Sequence, residues 1–249
     1  MSSGRLIDAT SIGRLPADRA TVILEDVSFA YRRRRTSVIA GLSASFGPES
    51  TVLLGPNGAG KSTLLRLIAG ALRPRRGQIR ASCPIAFSPQ SHVALPGFSV
   101  FDQIKYAGWL GGIALSQTAA AARRSLDAVG LSELAGRRAT TLSGGELARL
   151  GIACALSTDP DLLLLDEPSA SLDPVAREAV GVVLCGLAES GKCIVATSHT
   201  AVDIGPPFER LVVLDEGVIV FDGGPDEFLA NDHENPTVDG FSRALRAGR

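Results

Sequence analysis

Short apolar runs and helical periods alternate along the chain, and this alternation predicts an α/β fold. The apolar stretches at residues 21–27 and 45–54 indicate two early strands. The run of leucines at 162–165 indicates a strand of a parallel sheet that is covered on both faces. A helix that begins at Pro174 leads to a further apolar strand at 193–196, which predicts a βαβ unit.

Helical periodicity dominates between residues 91 and 156, so we expect a helical lobe inserted into the α/β core. Near the end, apolar runs at 211–214 and 218–221 flank a short polar turn, which predicts an antiparallel hairpin. The predicted organisation is an N-terminal tail at 1–20, a domain at 21–230 whose α/β core (21–90 and 157–230) is interrupted by a helical lobe (91–156), and a C-terminal tail at 231–249.

Composition limits the partners that we expect. At 249 residues and 45% hydrophobic content, the chain can bury the core of one large domain. A net charge of −1 gives no general basic field, so nucleic acid is not an expected partner. The dense basic run at residues 32–35 favours a solvated loop, with anionic lipid, phosphate or RNA as open alternatives.

Cysteine spacing and hydropathy point to a soluble, reduced protein. The four cysteines lack CxxC spacing and lie in largely apolar segments, which favours core thiols over a zinc site or disulfides. No run reaches the roughly 18 apolar residues of a membrane span, and residues 1–19 lack a signal-peptide pattern. We therefore expect a cytoplasmic protein.

The sequence GPNGAGKST at residues 55–63 lies between an apolar strand and a helical pattern, as a phosphate-binding loop does. Glycines allow backbone amides to approach a polyphosphate closely, and the following helix N-terminus adds positive partial charge. Lys61 would reach the β- and γ-phosphates, and the Ser62 hydroxyl would bind Mg²⁺. A plain glycine turn is the alternative.

Further motifs make this prediction more specific. LSGGE at residues 142–146 precedes the acidic pair DE at 166–167 by about twenty residues. Together with Gln90, the segment SASLD at 169–173 and His199, this set resembles the nucleotide-binding subunit of ATP-binding cassette (ABC) proteins. The resemblance implies a P-loop NTPase core with an inserted helical lobe and an antiparallel β portion.

The resemblance spans residues 21–230 and implies a site for ATP and Mg²⁺. Mg²⁺ would be held by Ser62, by Gln90 and, through water, by Asp166. Tyr31 matches an aromatic residue that stacks on adenine, with a core aromatic as the alternative. The residues implied to bind nucleotide are Tyr31, Gly55, Asn57, Gly58, Gly60, Lys61, Ser62, Thr63, Ser143, Gly145 and Asp173. The last three of these would lie on the partner's ATP or near it.

The same resemblance implies the catalytic residues. Glu167 would polarise the attacking water, His199 would bond the γ-phosphate, and Gln90 would sense the metal and the γ-phosphate. The alternatives are an acidic strand end, a structural histidine and a polar loop amide. Because this set shows no substitution, we expect both sites of a homodimer to hydrolyse ATP.

The LSGGE segment implies a pair of subunits, with ATP sandwiched head to tail between one subunit's phosphate loop and the other's Ser143 and Gly145. The pair would be a homodimer or two different ABC subunits. Helix N-caps explain Ser143 and Asp173 equally well locally. The segment Glu146-Leu147-Ala148 departs from the family's usual glutamine or methionine with further basic residues, whereas Arg149 matches an arginine often seen after the signature.

The implied function is ATP hydrolysis that powers transport by separate transmembrane permease subunits, with this chain peripheral on the inner face of the cell membrane. The membrane partners would bind near Gln90 and residues 91–109. Resemblance to exporter subunits at 101–112, 213–217 and 221–223 favours export, and short importers stay open. A soluble ABC ATPase acting on ribosomes or DNA is disfavoured because neither a second cassette nor a coiled coil is present. A non-enzymatic scaffold is disfavoured by Glu167 and His199.

Overall fold

A computed structural model describes residues 21–32 and 37–231. The strands within these residues are β1 (Val22–Phe29), β2 (Ile39–Phe46), β3 (Thr51–Leu54), β4 (Arg76–Ala81), β5 (Ile85–Ser88), β6 (Leu162–Leu165), β7 (Cys193–Ser198), β8 (Arg210–Asp215) and β9 (Val218–Gly223). The helices are α1 (Lys61–Ile68), α2 (Val100–Leu110), α3 (Leu115–Ala128), α4 (Gly144–Leu156), α5 (Pro174–Glu189) and α6 (Pro225–Asn231). The predicted N-terminal tail, nearly all of the C-terminal tail and most of the basic run at 32–35 lie outside the described residues.

The central sheet has the strand order β5-β6-β7-β3-β8-β9. The first five strands run parallel, and β9 is antiparallel to β8, as the hairpin pattern predicted. All four leucines of β6 are buried because both faces of the sheet are covered. Parallel strands end at a common edge, so the segments that follow β3, β6 and β7 meet there.

A second, antiparallel sheet has the order β2-β1-β4. A hydrophobic core that includes Val22, Phe46 and residues of α1 lies against this sheet and continues to the apolar side chains of β6 and β7. Arg210 of β8 connects the two sheets: its guanidinium donates to Asp222 and to the Ser45 carbonyl, and it lies over the Phe46 ring. The predicted α/β fold with an antiparallel portion is confirmed.

Several element boundaries differ from the sequence prediction. The single strand expected at residues 45–54 is two strands, β2 and β3, because Gly47 and Pro48 turn the chain between them. Strands β4 and β5 were not predicted. At the C-terminal end, α6 extends to Asn231, one residue beyond the predicted domain end.

Helices α2, α3 and α4 occupy the region in which the sequence predicts a helical lobe. They pack on one another around a core that includes Ile104, Leu126 and Leu150. Within the described part of the chain, every helix is too short or too polar to cross a lipid bilayer. The boundaries 91 and 156 for an inserted lobe stay a prediction.

Candidate functional site

The glycine-rich loop turns tightly between β3 and α1. Gly60 has a φ of +109°, and a Cβ there would lie 2.9 Å from Cδ1 of Ile39. A Cβ on Gly55 would lie 2.2 Å from the Leu214 carbonyl oxygen of the neighbouring strand. Glycine meets both demands, and the loop places the N-terminus of α1, with its positive partial charge, at the carboxyl edge of the sheet.

Lys61 is a buried cation in this loop, with 5% of its surface exposed. Its Nζ donates to the carbonyl oxygens of Gly55 at 2.7 Å and Pro56 at 3.2 Å, and lies 3.9 Å from Oε1 of Glu167. Burial lowers the pKa of Lys61, while the carboxylates of Glu167 and Asp166 act in the opposite direction. Because this ammonium is already buried, it can form a charge-assisted hydrogen bond to a polyphosphate with little further loss of hydration.

Asp166 follows β6 and is almost completely buried. Its Oδ1 accepts hydrogen bonds from Ser62 Oγ at 2.8 Å and from Thr197 Oγ1 at 3.0 Å. Its Oδ2 is buried and has no hydrogen-bond partner among the described residues. A buried carboxylate oxygen without a partner is costly, and it suits a cation or a cation-bound water.

These oxygens fit Mg²⁺, which prefers oxygen ligands and retains several waters. Ser62 and Asp166 supply a hydroxyl and a carboxylate side by side. The part of the chain that the structure describes contains no cluster of three or more His, Cys, Asp or Glu side chains able to hold a metal. A Mg²⁺ ion here would therefore depend on ligands other than clustered carboxylates, with water and phosphate among them.

Glu167 adopts a φ of +50°, which is rare for a residue with a side chain. Its Oε2 accepts a hydrogen bond from Gln90 Nε2 at 3.0 Å and lies 3.3 Å from Nδ1 of His199. Gln90 follows β5 and His199 follows β7, so three strand ends converge on one carboxylate. Residues in such sparsely populated conformations cluster at functional sites.

Asp203 anchors the loop that carries His199 through side-chain hydrogen bonds. The Asp203 carboxylate accepts hydrogen bonds from Ser198, from Thr200 at 3.2 Å and from Ser169 at 3.0 Å. Ser198 and Thr200 flank the histidine, whereas Ser169 belongs to the segment after Glu167. The histidine side chain itself is 41% exposed and faces the cleft.

A cleft of about 620 Å³ brings most of the predicted residues together. At one side of it, Tyr31 is 36% exposed, and its hydroxyl lies 3.2 Å from Thr63 Oγ1. The predicted residues that line the cleft are Tyr31, Asn57, Gly58, Gly60, Lys61, Ser62, Thr63, Gln90, Glu167 and His199. Asp166 lies beneath this surface, bonded to Ser62.

Ser143, Gly145 and Asp173 do not line this cleft. Ser143 caps α4 in a capping box: its Oγ accepts from the Glu146 amide at 3.3 Å, and its own amide donates to Oε2 of Glu146 at 2.7 Å. Asp173 caps α5 by accepting from the Ala176 amide. Gly145 packs closely on Ala176, since a Cβ on Gly145 would lie 2.7 Å from the alanine methyl.

Glu146 completes the capping box, because the third helical position of this motif takes Glu or Gln. The hydrogen bond from the Ser143 amide is the main reason why the pKa of Glu146 is lowered. Arg137 adds to this effect with its Nη1 3.6 Å from the carboxylate. Arg149 donates to the carbonyls of Val129 and Gly130, just beyond the end of α3.

Two residues at the site were missed by the sequence reasoning. Thr197 contacts both Asp166 and the backbone of Glu167, and Asp203 organises the loop around His199. The sequence offered a signal for Thr197, because its hydroxyl follows the apolar residues 193–196 and comes two residues before His199. Nothing in the local sequence distinguishes Asp203 from an ordinary surface carboxylate.

Comparisons with known proteins agree on one family. Residues 39–170 match the family described as ABC transporter. The taurine import ATP-binding protein TauB of Pseudomonas aeruginosa is 33% identical over 240 residues, covering 92% of this chain and 87% of TauB. The Nod factor export ATP-binding protein I of Paraburkholderia xenovorans is 34% identical over 226 residues, covering 86% of this chain and 74% of that protein.

Solved structures share the fold. The ADP conformation of MJ1267, an ATP-binding cassette of an ABC transporter, matches with a TM-score of 0.77 at 22% identity, over 92% of this chain and 99% of that chain. A dimeric post-hydrolysis state of the ATP-binding cassette MJ0796, bound to ADP and Pi, matches with a TM-score of 0.71 at 23% identity, over 82% and 98%.

Proposed function

The chain belongs to the ABC transporter family as an ATP-binding, ATP-hydrolysing subunit, and on this basis we propose that it works as one half of a head-to-tail pair. Each subunit would hold ATP in its own cleft and complete the other's site with the LSGGE segment at 142–146. A dimeric cassette of the same fold, MJ0796 with ADP and Pi, supports this arrangement. The pair would consist of two copies of this chain or of this chain and a second ABC subunit.

The exposed N-terminus of α4 is the observation that carries the proposal. Ser143 and Gly144 are exposed, and they lie outside the cleft that holds Lys61. The Ser143 hydroxyl oxygen accepts a hydrogen bond from the backbone of its own helix, so its proton can be donated to an incoming phosphate. Helix dipole and hydroxyl together make a second anion site that the chain does not use itself.

Within one cleft, different residues would bind the phosphates, the adenine ring and Mg²⁺. Lys61 and the loop amides would neutralise the phosphates, and the Tyr31 ring would stack on adenine. Ser62, Asp166 and Gln90 would hold Mg²⁺, which when bound offsets negative charge that develops on the phosphates. Asn57, Thr63 and the glycines of the loop would complete the phosphate and nucleoside contacts.

Glu167 would act on the attacking water, with His199 and Gln90 beside it. Both of these residues contact the Glu167 carboxylate directly, so nucleotide and water must exchange with those contacts. A general base contributes roughly 10²–10⁴ in rate. Removing this carboxylate should therefore trap ATP in the pair with little hydrolysis.

The decisive experiment uses Glu167→Gln, which keeps the shape of the side chain and removes its charge. With ATP and Mg²⁺, this variant should elute from size exclusion as a dimer, while nucleotide-free protein elutes as a monomer. The matched control is Glu167→Gln combined with Ser143→Arg, which should bind ATP but stay monomeric. A dimer that forms equally well in the control would rule out Ser143 at the interface.

We further propose that separate membrane subunits bind the groove between the core and α2. This groove, of about 730 Å³, is lined by Phe87, Val93, Tyr106 and Leu110 among others. Leu110, one of these lining residues, is 63% exposed and offers apolar surface to a partner. Bound there, the chain would lie at the inner face of the cell membrane.

The relatives work in both directions, as a taurine importer subunit and a Nod factor exporter subunit at 33% and 34% identity. The export direction expected from the sequence therefore stays a prediction. Transport of a labelled solute by vesicles that contain this chain and its membrane subunits would decide the direction.

A further inference from the structure

We propose that Thr197 is a positioning residue for ATP hydrolysis, which holds Asp166 and Glu167 in their working orientations through one hydroxyl group. The inference rests on the roles proposed above for the two acidic residues. It concerns a position at the end of β7 that carries neither a phosphate-binding nor a water-activating group.

The Thr197 hydroxyl contacts both acidic residues at once. Its Oγ1 donates to Oδ1 of Asp166 at 3.0 Å and accepts from the backbone N–H of Glu167 at 2.8 Å. The side chain is 1% exposed, so water does not compete for these bonds. The strand register explains the geometry, since Leu165 pairs with Ala196 and the next position on each strand brings Asp166 beside Thr197.

The bond to Asp166 determines which carboxylate oxygen remains for the metal. Ser62 and Thr197 both donate to Oδ1, and this pair of bonds fixes the plane of the carboxylate. Oδ2, buried and without a hydrogen-bond partner in the described chain, is left for a Mg²⁺-bound water. Without the threonine hydroxyl, Oδ1 keeps one donor and the carboxylate can rotate.

The bond to Glu167 acts on the backbone. With a φ of +50°, Glu167 occupies a conformation that persists only where its surroundings impose it. The Thr197 hydroxyl receives the Glu167 amide at the point where the chain leaves β6, and this contact helps to set the direction of the side chain. Removal of the Thr197 hydroxyl would leave the Glu167 amide without this hydrogen-bond acceptor.

Packing alone does not require a hydroxyl at this position. The other residues of β7 from Cys193 to Ala196 are apolar and buried, and valine has nearly the same shape as threonine. A purely structural position in such a strand would accept valine and favour it in the sheet. The two polar contacts are what set threonine apart here.

The test compares Thr197→Val, which removes the hydroxyl and keeps the shape, with Thr197→Ser, which keeps the hydroxyl. We expect Thr197→Val to lower kcat by about 10- to 100-fold with KM for ATP within about twofold, and Thr197→Ser to stay within about threefold of wild type. Thr197→Ala serves as a second hydroxyl-free variant in case the valine protein does not fold. Thr51→Val is the matched control, because Thr51 is a buried threonine at the opposite end of neighbouring β3.

A second readout does not depend on turnover. Binding of Mn²⁺ in the presence of ATP, followed by electron paramagnetic resonance, should weaken at least threefold in Thr197→Val and not in Thr51→Val. Equal kcat in wild type and Thr197→Val, or equal losses in the serine and valine variants, would overturn the inference. If wild-type protein itself showed no Mg²⁺-dependent hydrolysis, the proposed roles of the acidic residues would fail instead, so the two failures are distinguishable.

Discussion

Gly151 of α4 allows a direct test of how the segment after Gln90 packs against the helical region. A Cβ on Gly151 would lie 2.0 Å from Nε2 of His92 and 2.3 Å from its Cε1. The same ring nitrogen lies 2.8 Å from Oγ of Ser88, a buried residue at the end of β5. Gly151→Ala must therefore displace the imidazole and break its contact with Ser88.

Two opposing effects set the size of the change in folding free energy. Alanine is more favourable than glycine inside a helix by about 0.8–1 kcal/mol. Against this, a buried hydroxyl that loses its partner costs about 1–3 kcal/mol. We expect a net destabilisation of about 1 kcal/mol in the wild-type background.

In a His92→Ala background, the ring and its hydrogen bond are already gone. The same Gly151→Ala change should then stabilise the protein by about 1 kcal/mol, because only the helix propensity remains. The sign of the effect thus reverses between backgrounds, and the coupling free energy between the two positions is about 2 kcal/mol.

The assay is urea unfolding of the four proteins of this cycle at one pH, with the free energy taken from the midpoint and slope. Gly186→Ala is the control, because Gly186 lies in α5 with open space around its missing Cβ. That change should stabilise both backgrounds equally. If Gly151→Ala stabilised wild type as much as Gly186→Ala does, the imidazole would not occupy the notch at Gly151, and the reasoning would be refuted.

Two further changes test the surface of α2 and the capping box. Leu110→Glu should abolish copurification with the membrane subunits and leave ATP affinity unchanged, whereas Val182→Glu on the exposed face of α5 should change neither copurification nor ATP affinity; loss of copurification in both variants would contradict a specific groove. The hydrogen bond from the Ser143 amide lowers the pKa of Glu146 in the folded state below its usual 4.5. The charged carboxylate therefore stabilises the protein above pH 4.5. This stabilisation is lost as the pH falls through the folded-state pKa. Urea unfolding should therefore show that the stability advantage of wild type over Glu146→Gln shrinks on acidification, and a constant difference would argue against this linkage.

Sequence reasoning selected residues that the fold brings into one cleft, because several of them are consecutive in the chain. The loop at 55–63 and the acidic pair at 166–167 each follow a buried apolar strand, and parallel strands bring such ends to one edge. Lys61, Glu167 and His199 line one cleft for this reason.

Long-range pairing was harder to predict. In β4, Ile79 is the one side chain that is not exposed, so the strand exists because β1 pairs with it and not because of an apolar pattern. Thr197 shows the same limit at the site, since its partners Asp166 and Glu167 follow β6, some thirty residues earlier in the chain. A local pattern can identify a hydroxyl but not the strand that it will face.

Asp203 has a consequence for timing in a paired assembly. Its carboxylate binds the residues on both sides of His199 and also Ser169, which lies four positions before Asp173. In the proposed pair, a displacement of the loop that carries His199 would therefore reach the segment at 169–173, which is proposed to touch the other subunit. The Asp203 carboxylate would then couple the two ATP sites of such a pair mechanically.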